Sequence, residues 1–450
     1  MLRVSEDEYY LYCTSAGDGF YCWRSQDMVS WSDKQMCYRR PEDAWSVDRY
    51  WAPEVVAFDG KYYLFYTAGN REGSLRIGLA IADRPGGPFI DFENRPLLDL
   101  GYATIDANVL LDDDGRNYMY FSRDCSENLV NYRHVSQIYG IELSSDLKSV
   151  KGEPVLLTTP EQEWELKSGK YRWNEGPEMI KHDGRYYLSY SANYYGGSAY
   201  SIGYAVSDSP LGEFKKAEEN PILTSGKKKD VSGTGHHGFV MSPDKTELWV
   251  SYHSHTNVVA GGGDRKVNIC RAGFTADGKL YMNGPFTTAQ GLPSGAHPTG
   301  TDFRGRNVTS GFRSFLKTEG GKLSELKALI DGRMSVHPTD GDLDVLIPMS
   351  KDGEARVLFR ADAPTKVDEL VIYTGLNGVT PDVSMRVLLD GKAVNGRFFF
   401  ESQEGGINPV ILSFEGREVT SVELIFGGQG AASRILLSEI GIYGTESIAH

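Results

Sequence analysis

Five short runs of aromatic and aliphatic residues, each preceded by a polar turn, constrain the fold of this chain more than any other feature. They begin at Tyr9, Tyr62, Tyr118, Tyr186 and Leu248. Most of the preceding turns contain Asp and Gly, as in Asp183-Gly184 before the fourth run. A turn of this kind between two β-prone segments is a strong signal for a hairpin. We therefore predict five hairpins, each with one of these runs as its second strand.

The five runs recur at intervals of 53, 56, 68 and 62 residues. Repeats of this length, each with about four short strands, are typical of β-propellers. A third strand is readable in two repeats, because residues 77–82 and 201–206 share one pattern of small and aliphatic residues. The sequence predicts an all-β chain with a five-bladed β-propeller over residues 1–290. A β-sandwich that contains the hairpins by coincidence is the competing interpretation.

The charge of the chain bears on its partners. It has 47 basic and 61 acidic residues and a net charge of −14. Nucleic-acid binding needs a basic surface, so we expect no nucleic-acid partner. A neutral sugar is compatible with this charge. No apolar stretch is long enough to span a bilayer, so no membrane partner is expected, and Met1 leads directly into a strand without a visible signal peptide. A signal upstream of Met1 would imply a periplasmic or secreted protein, and its absence a cytoplasmic one.

The five cysteines show no metal-binding spacing and lie at positions 13, 22, 37, 125 and 270. An odd number at irregular intervals indicates reduced thiols. One disulfide, between Cys13 and Cys22 across the first hairpin, stays open as an alternative.

The C-terminal part of the chain has a different pattern. A segment rich in Gly, Pro, Thr and Ser ends near residue 309 and predicts a linker over residues 291–309. Beyond it the sequence predicts one short helix over residues 323–329 and strands over 367–373, 385–389, 409–414, 422–426 and 435–443. This pattern predicts a β-sandwich over residues 310–450. The motifs Ala328-Leu329-Ile330-Asp331-Gly332 and Ser438-Glu439-Ile440-Gly441-Ile442-Tyr443 resemble discoidin-like or galactose-binding-like jelly rolls. All seven Trp residues lie at or before position 249, which favours a structural role for this domain over sugar binding.

The innermost strand of every propeller blade begins near the central axis, so the residues that open these strands should meet in one pocket. Counting back from the hairpin runs, Glu175, Asp106 and Trp51 open three inner strands, and His236 opens a fourth. Two carboxylates beside an aromatic surface suit glycoside hydrolysis, where one acid protonates the leaving oxygen and another activates water. A neighbouring carboxylate would raise the pKa of Glu175 and keep it protonated.

The motifs around these residues resemble glycoside hydrolase family 43. They are Trp51-Ala52-Pro53-Glu54-Val55, Ile105-Asp106-Ala107, Asn174-Glu175-Gly176-Pro177 and Gly233-Thr234-Gly235-His236-His237. The resemblance implies a five-bladed propeller that inverts anomeric configuration, with Glu175 as general acid and Asp106 as the residue that tunes and orients it. It also implies substrate contacts from Trp51, His236 and Arg265. No cofactor is required, although His236 matches a histidine that holds water or calcium on the axis in many members.

Other polar residues near these strands have simpler explanations. Ser122-Arg123-Asp124 resembles the Arg-Asp-Pro of fructan-cleaving propellers but lacks the proline, so we assign Asp124 no role. His237, His253 and His255 are expected to pack or to support neighbouring residues.

The expected general base is missing from the chain. The family places an Asp at the opening of the inner strand of the first blade, and the same backward count from Tyr9 falls about two positions before Met1. Glu6, Asp7 and Glu8 lie in the hairpin turn at the far end of that strand. We therefore expect either a longer natural chain with an Asp upstream of Met1, or a protein without the usual base.

The sequence thus predicts an inverting exo-glycosidase that releases terminal pentose units from plant polysaccharide, with α-L-arabinofuranosides preferred. A β-xylosidase or exo-galactanase of the same fold is the alternative among enzymes. A sugar-binding propeller without catalysis is the alternative from another class, because the base is missing.

Overall fold

A computed structural model describes residues 1–225, 231–286, 290–296, 306–318, 320–335, 343–374, 383–395, 397–399, 409–428 and 435–444. Within these ranges the chain is all-β, as predicted. The helical turns found there are 3-10 turns at Cys125–Glu127, Glu163–Leu166, Thr309–Gly311 and Lys327–Leu329. Across the same ranges, no helix is long and apolar enough to cross a bilayer.

The first two blades are four-stranded antiparallel sheets in which each strand pairs with the next along the chain. The first contains β1 (Leu2–Ser5), β2 (Glu8–Ala16), β3 (Gly19–Ser25) and β4 (Gln35–Arg39). The second contains β5 (Ser46–Phe58), β6 (Lys61–Asn70), β7 (Leu75–Ala82) and β8 (Ile90–Asp91). The first two hairpin runs lie in β2 and β6, the second strand of each sheet, as predicted.

The third blade is interrupted by a small additional sheet. The strands of this region are β9 (Thr104–Leu111), β10 (Asn117–Arg123), β11 (Leu129–Val130), β12 (Arg133–Val135), β13 (Gln137–Leu143), β14 (Val150–Thr158) and β15 (Tyr171–Arg172). β9, β10, β13 and β14 form the blade, while β11, β12 and β15 pair with one another in a separate sheet. In sequence, β11 and β12 lie between β10 and β13, and β15 lies directly before the inner strand of the fourth blade.

The fourth and fifth blades complete the propeller. The fourth contains β16 (Asn174–His182), β17 (Arg185–Ala192), β18 (Ser201–Ser207) and β19 (Lys215–Lys216), and the fifth β20 (Gly235–Met241), β21 (Leu248–His255), β22 (Arg265–Phe274) and β23 (Leu280–Met282). The five-bladed propeller predicted from the repeats is therefore confirmed.

Apolar side chains on both faces of the second strands hold consecutive blades together. In β6, Leu64 and Tyr66 are buried in a cluster with residues of the first blade, whereas Tyr63 and Phe65 are buried in a cluster with the third. Side chains of a strand alternate between its two faces, so a continuous apolar run is what a strand buried on both faces requires. Each such side chain contributes roughly 1.5–3 kcal/mol on burial. This double burial explains why the runs are so regular.

The chain forms two compact units. Within the described residues, the first takes in 1–225, 231–240 and 250–269, and the second takes in 241–249 and the residues from 270 onward. All of the candidate residues named above belong to the first unit.

The β-sandwich of the second unit is built from a nine-stranded sheet and a two-stranded sheet. Its strands are β24 (Arg306–Asn307), β25 (Phe312–Lys317), β26 (Leu323–Glu325), β27 (Val345–Ile347), β28 (Glu354–Tyr373), β29 (Val383–Leu389), β30 (Lys392–Ala393), β31 (Arg397–Phe399), β32 (Val410–Gly428), β33 (Ile435–Leu437) and β34 (Glu439–Gly444). Aliphatic residues of β28, β32 and β34 fill its core. The segments predicted over 409–414 and 422–426 belong to one strand, β32, whose pairing with β28 shifts register between Arg360 and Thr365. Such irregularities allow long strands to bend.

The helix predicted over residues 323–329 is wrong. Leu323–Glu325 form β26, which pairs with β25, and only Lys327–Leu329 make a 3-10 turn. The backbone N–H of Leu326 donates to the carbonyl of Ser314, and Leu329 is fully buried in the sandwich core. Tertiary pairing thus overrides the helical propensity of this segment.

The disulfide considered between Cys13 and Cys22 is excluded by the register of the first hairpin. Tyr12 pairs with Cys22 and Cys13 pairs with Tyr21, so the two thiols point to opposite faces of the sheet. All five cysteines are free.

Candidate active site

A single cavity of about 360 Å³ brings the sequence-predicted residues together. Its walls include all five of them: Trp51, Asp106, Glu175, His236 and Arg265. They come from β5, β9, β16, β20 and β22, so four inner strands and one third strand contribute. The backward count along the chain therefore found residues that share one cavity.

The inner strands reach this cavity through the same local distortion. In the second, third and fourth blades the inner strand pairs with the second strand until a bulge, and one residue at this place in all four inner strands takes a left-handed conformation. These residues are Ala52, Asp106, Gly176 and His236, with φ between 45° and 58°. Left-handed backbone is costly for most side chains, so its recurrence in four blades marks a strained and shared element. Gly176 also lacks room for a side chain, because a Cβ there would lie 3.2 Å from the His236 ring.

Hydroxyl side chains from the preceding blade hold three of these bulges. The N–H of Ala52 donates to Thr14 Oγ1 at 3.0 Å, that of Asp106 to Thr67 Oγ1 at 3.0 Å, and that of His236 to Ser191 Oγ at 2.8 Å.

At the fourth position the pattern changes. The corresponding hydroxyl, Ser122 Oγ, is buried without a partner, and the N–H of Gly176 donates instead to Asp106 Oδ2 at 3.0 Å. Asp106 is thereby tied to the residue that follows Glu175.

The surroundings of Glu175 favour its protonated form. It is buried, and burial followed by the charge of Asp106 raises its pKa well above the usual range. The hydroxyl of Tyr200 donates to Glu175 Oε1 at 2.9 Å and acts in the opposite direction, because it stabilises the ionised form. The outcome is a carboxyl group that keeps its proton and can deliver it to a bound oxygen.

Asp106 is also buried, and burial raises its pKa. The N–H of Gly176 opposes that rise because it stabilises the ionised form, and the His236 ring does so only when it is protonated. Burial in turn lowers the pKa of His236, which favours the neutral imidazole. The pKa of both carboxyls is therefore raised, and that of Glu175, which faces the charge of Asp106, is raised the more.

Flat side chains form much of the remaining wall. Trp51 is 38% exposed, and the Arg265 guanidinium lies 5.1 Å from the centre of the Tyr195 ring. Trp173 and Tyr194 also line the cavity. Aromatic rings at the rim of a polar cavity suit the apolar faces of sugar rings, while the polar groups contact hydroxyls.

A second cavity of about 390 Å³ shares Thr14, Ala52, Asp106, His236 and Arg265 with the first. Among its walls are two buried glutamates that the sequence reading left without a role. Asn108 Nδ2 donates to Glu54 Oε1 at 3.0 Å and to Glu178 Oε2 at 2.7 Å. Burial raises the pKa of Glu54 to about 7 and that of Glu178 to about 8. Burial thus brings the pKa of both carboxyls close to neutral pH, while the Asn108 hydrogen bond to Glu54 acts against the shift.

Comparison with known proteins identifies the family. The family model described as glycosyl hydrolases family 43 matches residues 1–280. The chain belongs to glycoside hydrolase family 43. The resemblance drawn from the motifs is confirmed, and the hydrolase acts on a carbohydrate.

Individual relatives agree with this assignment. The hydrolase is 30% identical over 256 residues to a xylosidase/arabinosidase from Bacteroides ovatus, covering 52% of the chain and 74% of the relative. It is 28% identical over 269 residues to a β-D-galactofuranosidase from Aspergillus niger, covering 56% and 72%. Among solved structures, a thermostable family-43 glycoside hydrolase is 45% identical with a TM-score of 0.63, covering 65% of this chain and 94% of that one.

Two residues that act on the pKa of Glu175 escaped the sequence reading. Asp124, which was assigned no role, lines the cavity, and its charge raises the pKa of both Glu175 and Asp106. Its Oδ1 accepts the N–H of Ser126 at 2.9 Å, which fixes the carboxylate at the end of β10. Tyr200, the donor to Glu175, lies ahead of β18. Neither opens an inner strand, so a search limited to strand openers could not reach them.

His253 was expected to pack, and it stacks on the Tyr200 ring with centroids 5.4 Å apart. Burial lowers its pKa well below the usual range, so it is a neutral ring behind the tyrosine.

The suggested calcium ion can be tested against the residues of the axis. Calcium takes six to eight oxygen ligands in proteins. Within the described ranges, no group of three or more His, Cys, Asp or Glu side chains is placed to hold a metal ion. A calcium ion held at His236 through water stays a prediction, and no step of the chemistry is derived through the ion.

Proposed function

We propose that the hydrolase is an inverting exo-glycosidase that releases terminal pentose units, with α-L-arabinofuranosides preferred. The observation that carries the proposal is Glu175: a buried carboxylic acid, hydrogen-bonded to Tyr200 and linked through Gly176 to Asp106, in a cavity of about 360 Å³. A cavity of this volume suits one terminal sugar better than the middle of a chain. The relatives named as acting on arabinose- and xylose-containing substrates support the pentose assignment.

In this proposal Glu175 gives its proton to the glycosidic oxygen as the bond to the anomeric carbon breaks. Asp106 positions Glu175 through the hydrogen bond to Gly176 and keeps its pKa high. Trp51, His236 and Arg265 bind the sugar. Water attacks the anomeric carbon from the opposite face, and this attack inverts the anomeric configuration. Because the water lies between the sugar and the general base, the base is expected roughly 6.5–9.5 Å from Glu175.

The general base is proposed to lie upstream of Met1. In the second blade Trp51 pairs with Thr67, and in the fourth blade Glu175 pairs with Ser191. The corresponding second-strand residue of the first blade is Thr14. The inner strand β1 pairs only as far as Leu2 with Tyr10. The second cavity has Met1, Cys13 and Thr14 among its walls, so an upstream segment would have space beside Thr14.

A panel of chromogenic glycosides tests the specificity. We expect release from the aryl α-L-arabinofuranoside to exceed release from the aryl β-D-xyloside and β-D-galactoside. Faster release from the xyloside would favour a β-xylosidase, and faster release from the galactoside an exo-galactanase. Product configuration, read by NMR immediately after cleavage, should be inverted, and retention would overturn the mechanism.

The missing base is tested by restoring it. The 450-residue chain should turn over slowly, because unassisted water loses roughly 10²–10⁴ in rate. A chain extended at its start by its natural upstream segment should regain that factor, and azide added to the 450-residue chain should yield the glycosyl azide of inverted configuration. Equal turnover by both forms without azide would show that the base lies elsewhere. Sugar binding without turnover by the extended chain would favour the non-catalytic alternative.

The domain division remains part of this proposal: a catalytic propeller over residues 1–290, a linker over 291–309 and an accessory sandwich over 310–450 with a structural role. Residues 297–305 of the linker lie outside the described residues. Loss of binding to insoluble polysaccharide on removal of the sandwich would argue against a purely structural role.

A further inference from the structure

A row of aromatic side chains begins at the cavity and continues onto the small sheet of β11, β12 and β15. Tyr171 and Trp173 are two positions apart in extended chain, so both side chains lie on one face. His134 pairs with Tyr171 across neighbouring strands, and Leu129 pairs with His134. Cross-strand neighbours share a face, so all four side chains lie on the same surface of the sheet.

Successive ring contacts join this surface to the cavity. The centroids of His134 and Tyr171 are 4.9 Å apart, those of Tyr171 and Trp173 5.7 Å, those of Trp173 and Tyr194 5.8 Å, and those of Tyr194 and Tyr195 5.0 Å. We call these five residues the aromatic strip. Trp173, Tyr194 and Tyr195 also line the cavity with Glu175, whereas Tyr171 and His134 lie beyond its walls.

The strip is open to ligand and held in place. Tyr171 is 45% exposed, Tyr194 47% and Tyr195 37%. His134 Nδ1 lies 2.9 Å from the carbonyl oxygen of Cys125, and the carbonyl of Tyr195 lies 2.8 Å from His255 Nε2. Rings that are exposed yet anchored bind at little cost in conformational entropy.

The position of Glu175 fixes which part of a substrate the strip would meet. The general acid stands beside the leaving oxygen, which joins the sugar in the cavity to the rest of the chain. Trp173, the ring of the cavity wall that contacts Tyr171, is two residues before Glu175 in sequence. The strip therefore starts on the leaving-group side.

We propose that the aromatic strip binds the sugar units that follow the released one, so the preferred substrate is an oligosaccharide or polysaccharide chain rather than a short glycoside. This inference rests on the proposed function for the direction of the chain. The occupant is a neutral carbohydrate, because exposed aromatic side chains pack against the apolar surface of sugars.

The test compares Tyr171→Ala with Tyr132→Ala. Tyr132 lies in the same small sheet region and is 96% exposed, but it stands outside the strip. With a length series of linear pentose oligosaccharides, kcat/KM of the unmodified hydrolase should rise with chain length. Tyr171→Ala should lower it for the longer members by roughly two- to tenfold. Tyr132→Ala should match the unmodified chain, and Tyr171→Phe should restore the length dependence because it keeps the ring.

Binding is measured in parallel by titrating the same oligosaccharides against each variant and following Trp fluorescence. This arm works without turnover, so a hydrolase that cleaves nothing would overturn the proposed function and leave the strip testable. Weaker binding of the longer oligosaccharides by Tyr171→Ala alone supports the proposal. Equal affinities and equal kcat/KM for Tyr171→Ala and Tyr132→Ala at every length would overturn it.

Discussion

Asp106 Oδ2 accepts the backbone N–H of Gly176 at 3.0 Å. In three other blades a Thr or Ser hydroxyl accepts the corresponding N–H, so this carboxylate has taken a place that a hydroxyl fills elsewhere. The exchange places a negative charge next to Glu175 and fixes it through the backbone. One hydrogen bond thus serves both the geometry of the bulge and the protonation of the proposed acid.

Asp106→Asn should lower the pKa of Glu175. The amide oxygen can still accept the N–H of Gly176, so the bulge should persist while the charge that raises the pKa of Glu175 is lost. The basic limb of the pH–rate profile on an aryl glycoside should therefore move to lower pH. Asp114→Asn, in the exposed turn of the third blade, is the control. A limb that stays in place would argue against the assigned role of Asp106.

Tyr200→Phe should raise the pKa of Glu175, in contrast to Asp106→Asn. The Tyr200 hydroxyl stabilises the ionised form of Glu175, so its removal should raise the pKa of Glu175 further. The basic limb should then move to higher pH. The ring and its stacking on His253 are kept, which separates the effect of the hydrogen bond from that of packing. A shift to lower pH would contradict the arrangement described above.

Glu175→Gln removes the transferable proton and keeps the shape of the side chain. Turnover of substrates with poor leaving groups should fall by roughly 10²–10⁴, and turnover of activated aryl glycosides by much less. The contrast is measured as kcat/KM across a series of leaving groups, with the exposed Glu163→Gln as control. Equal losses across the series would exclude Glu175 as the general acid.

Glu178→Gln should flatten the dependence of stability on pH. Burial raises the pKa of Glu178 from 4.5 to about 8, so the folded chain keeps a proton that the unfolded chain loses within this window. The contribution to stability is complete at low pH and is lost as pH rises towards about 8, at roughly 1.4 kcal/mol per pKa unit. Denaturant titrations should show that the free energy of unfolding falls less with rising pH in Glu178→Gln than in the unmodified chain. The exposed control Glu218→Gln should follow the unmodified chain. If the stability of Glu178→Gln and of the unmodified chain changed equally with pH, the raised pKa of Glu178 would be refuted.

The sequence predicted the propeller because its second strands are buried on both faces and therefore carry unbroken apolar runs. The count back to the inner strands also reached the shared cavity. The count could not show that the four residues stand at two different places. Asp106 and His236 have the left-handed backbone themselves, whereas Trp51 and Glu175 lie one residue before it. A bulge inserts a residue that sequence spacing does not reveal.

Contacts between distant parts of the chain could not be predicted from local sequence patterns. Asp124 and Tyr200 enter the cavity from outside the inner strands, and β12 meets β15 only in the folded chain. For the same reason the segment 323–329 was read as helical: its pairing with β25 is a tertiary contact that local propensity does not encode.

The recurring bulge has a consequence for how such a site can change over evolution. Its backbone is secured from the neighbouring blade, and alanine, aspartate, glycine and histidine occupy equivalent places at Ala52, Asp106, Gly176 and His236. Gly176 has little room for a side chain, and the Asp106 carboxylate holds the Gly176 N–H, so these two places are constrained. A new specificity could arise more readily at Ala52 and its neighbour Trp51, and directed libraries at these two positions would vary the cavity wall while sparing the fold.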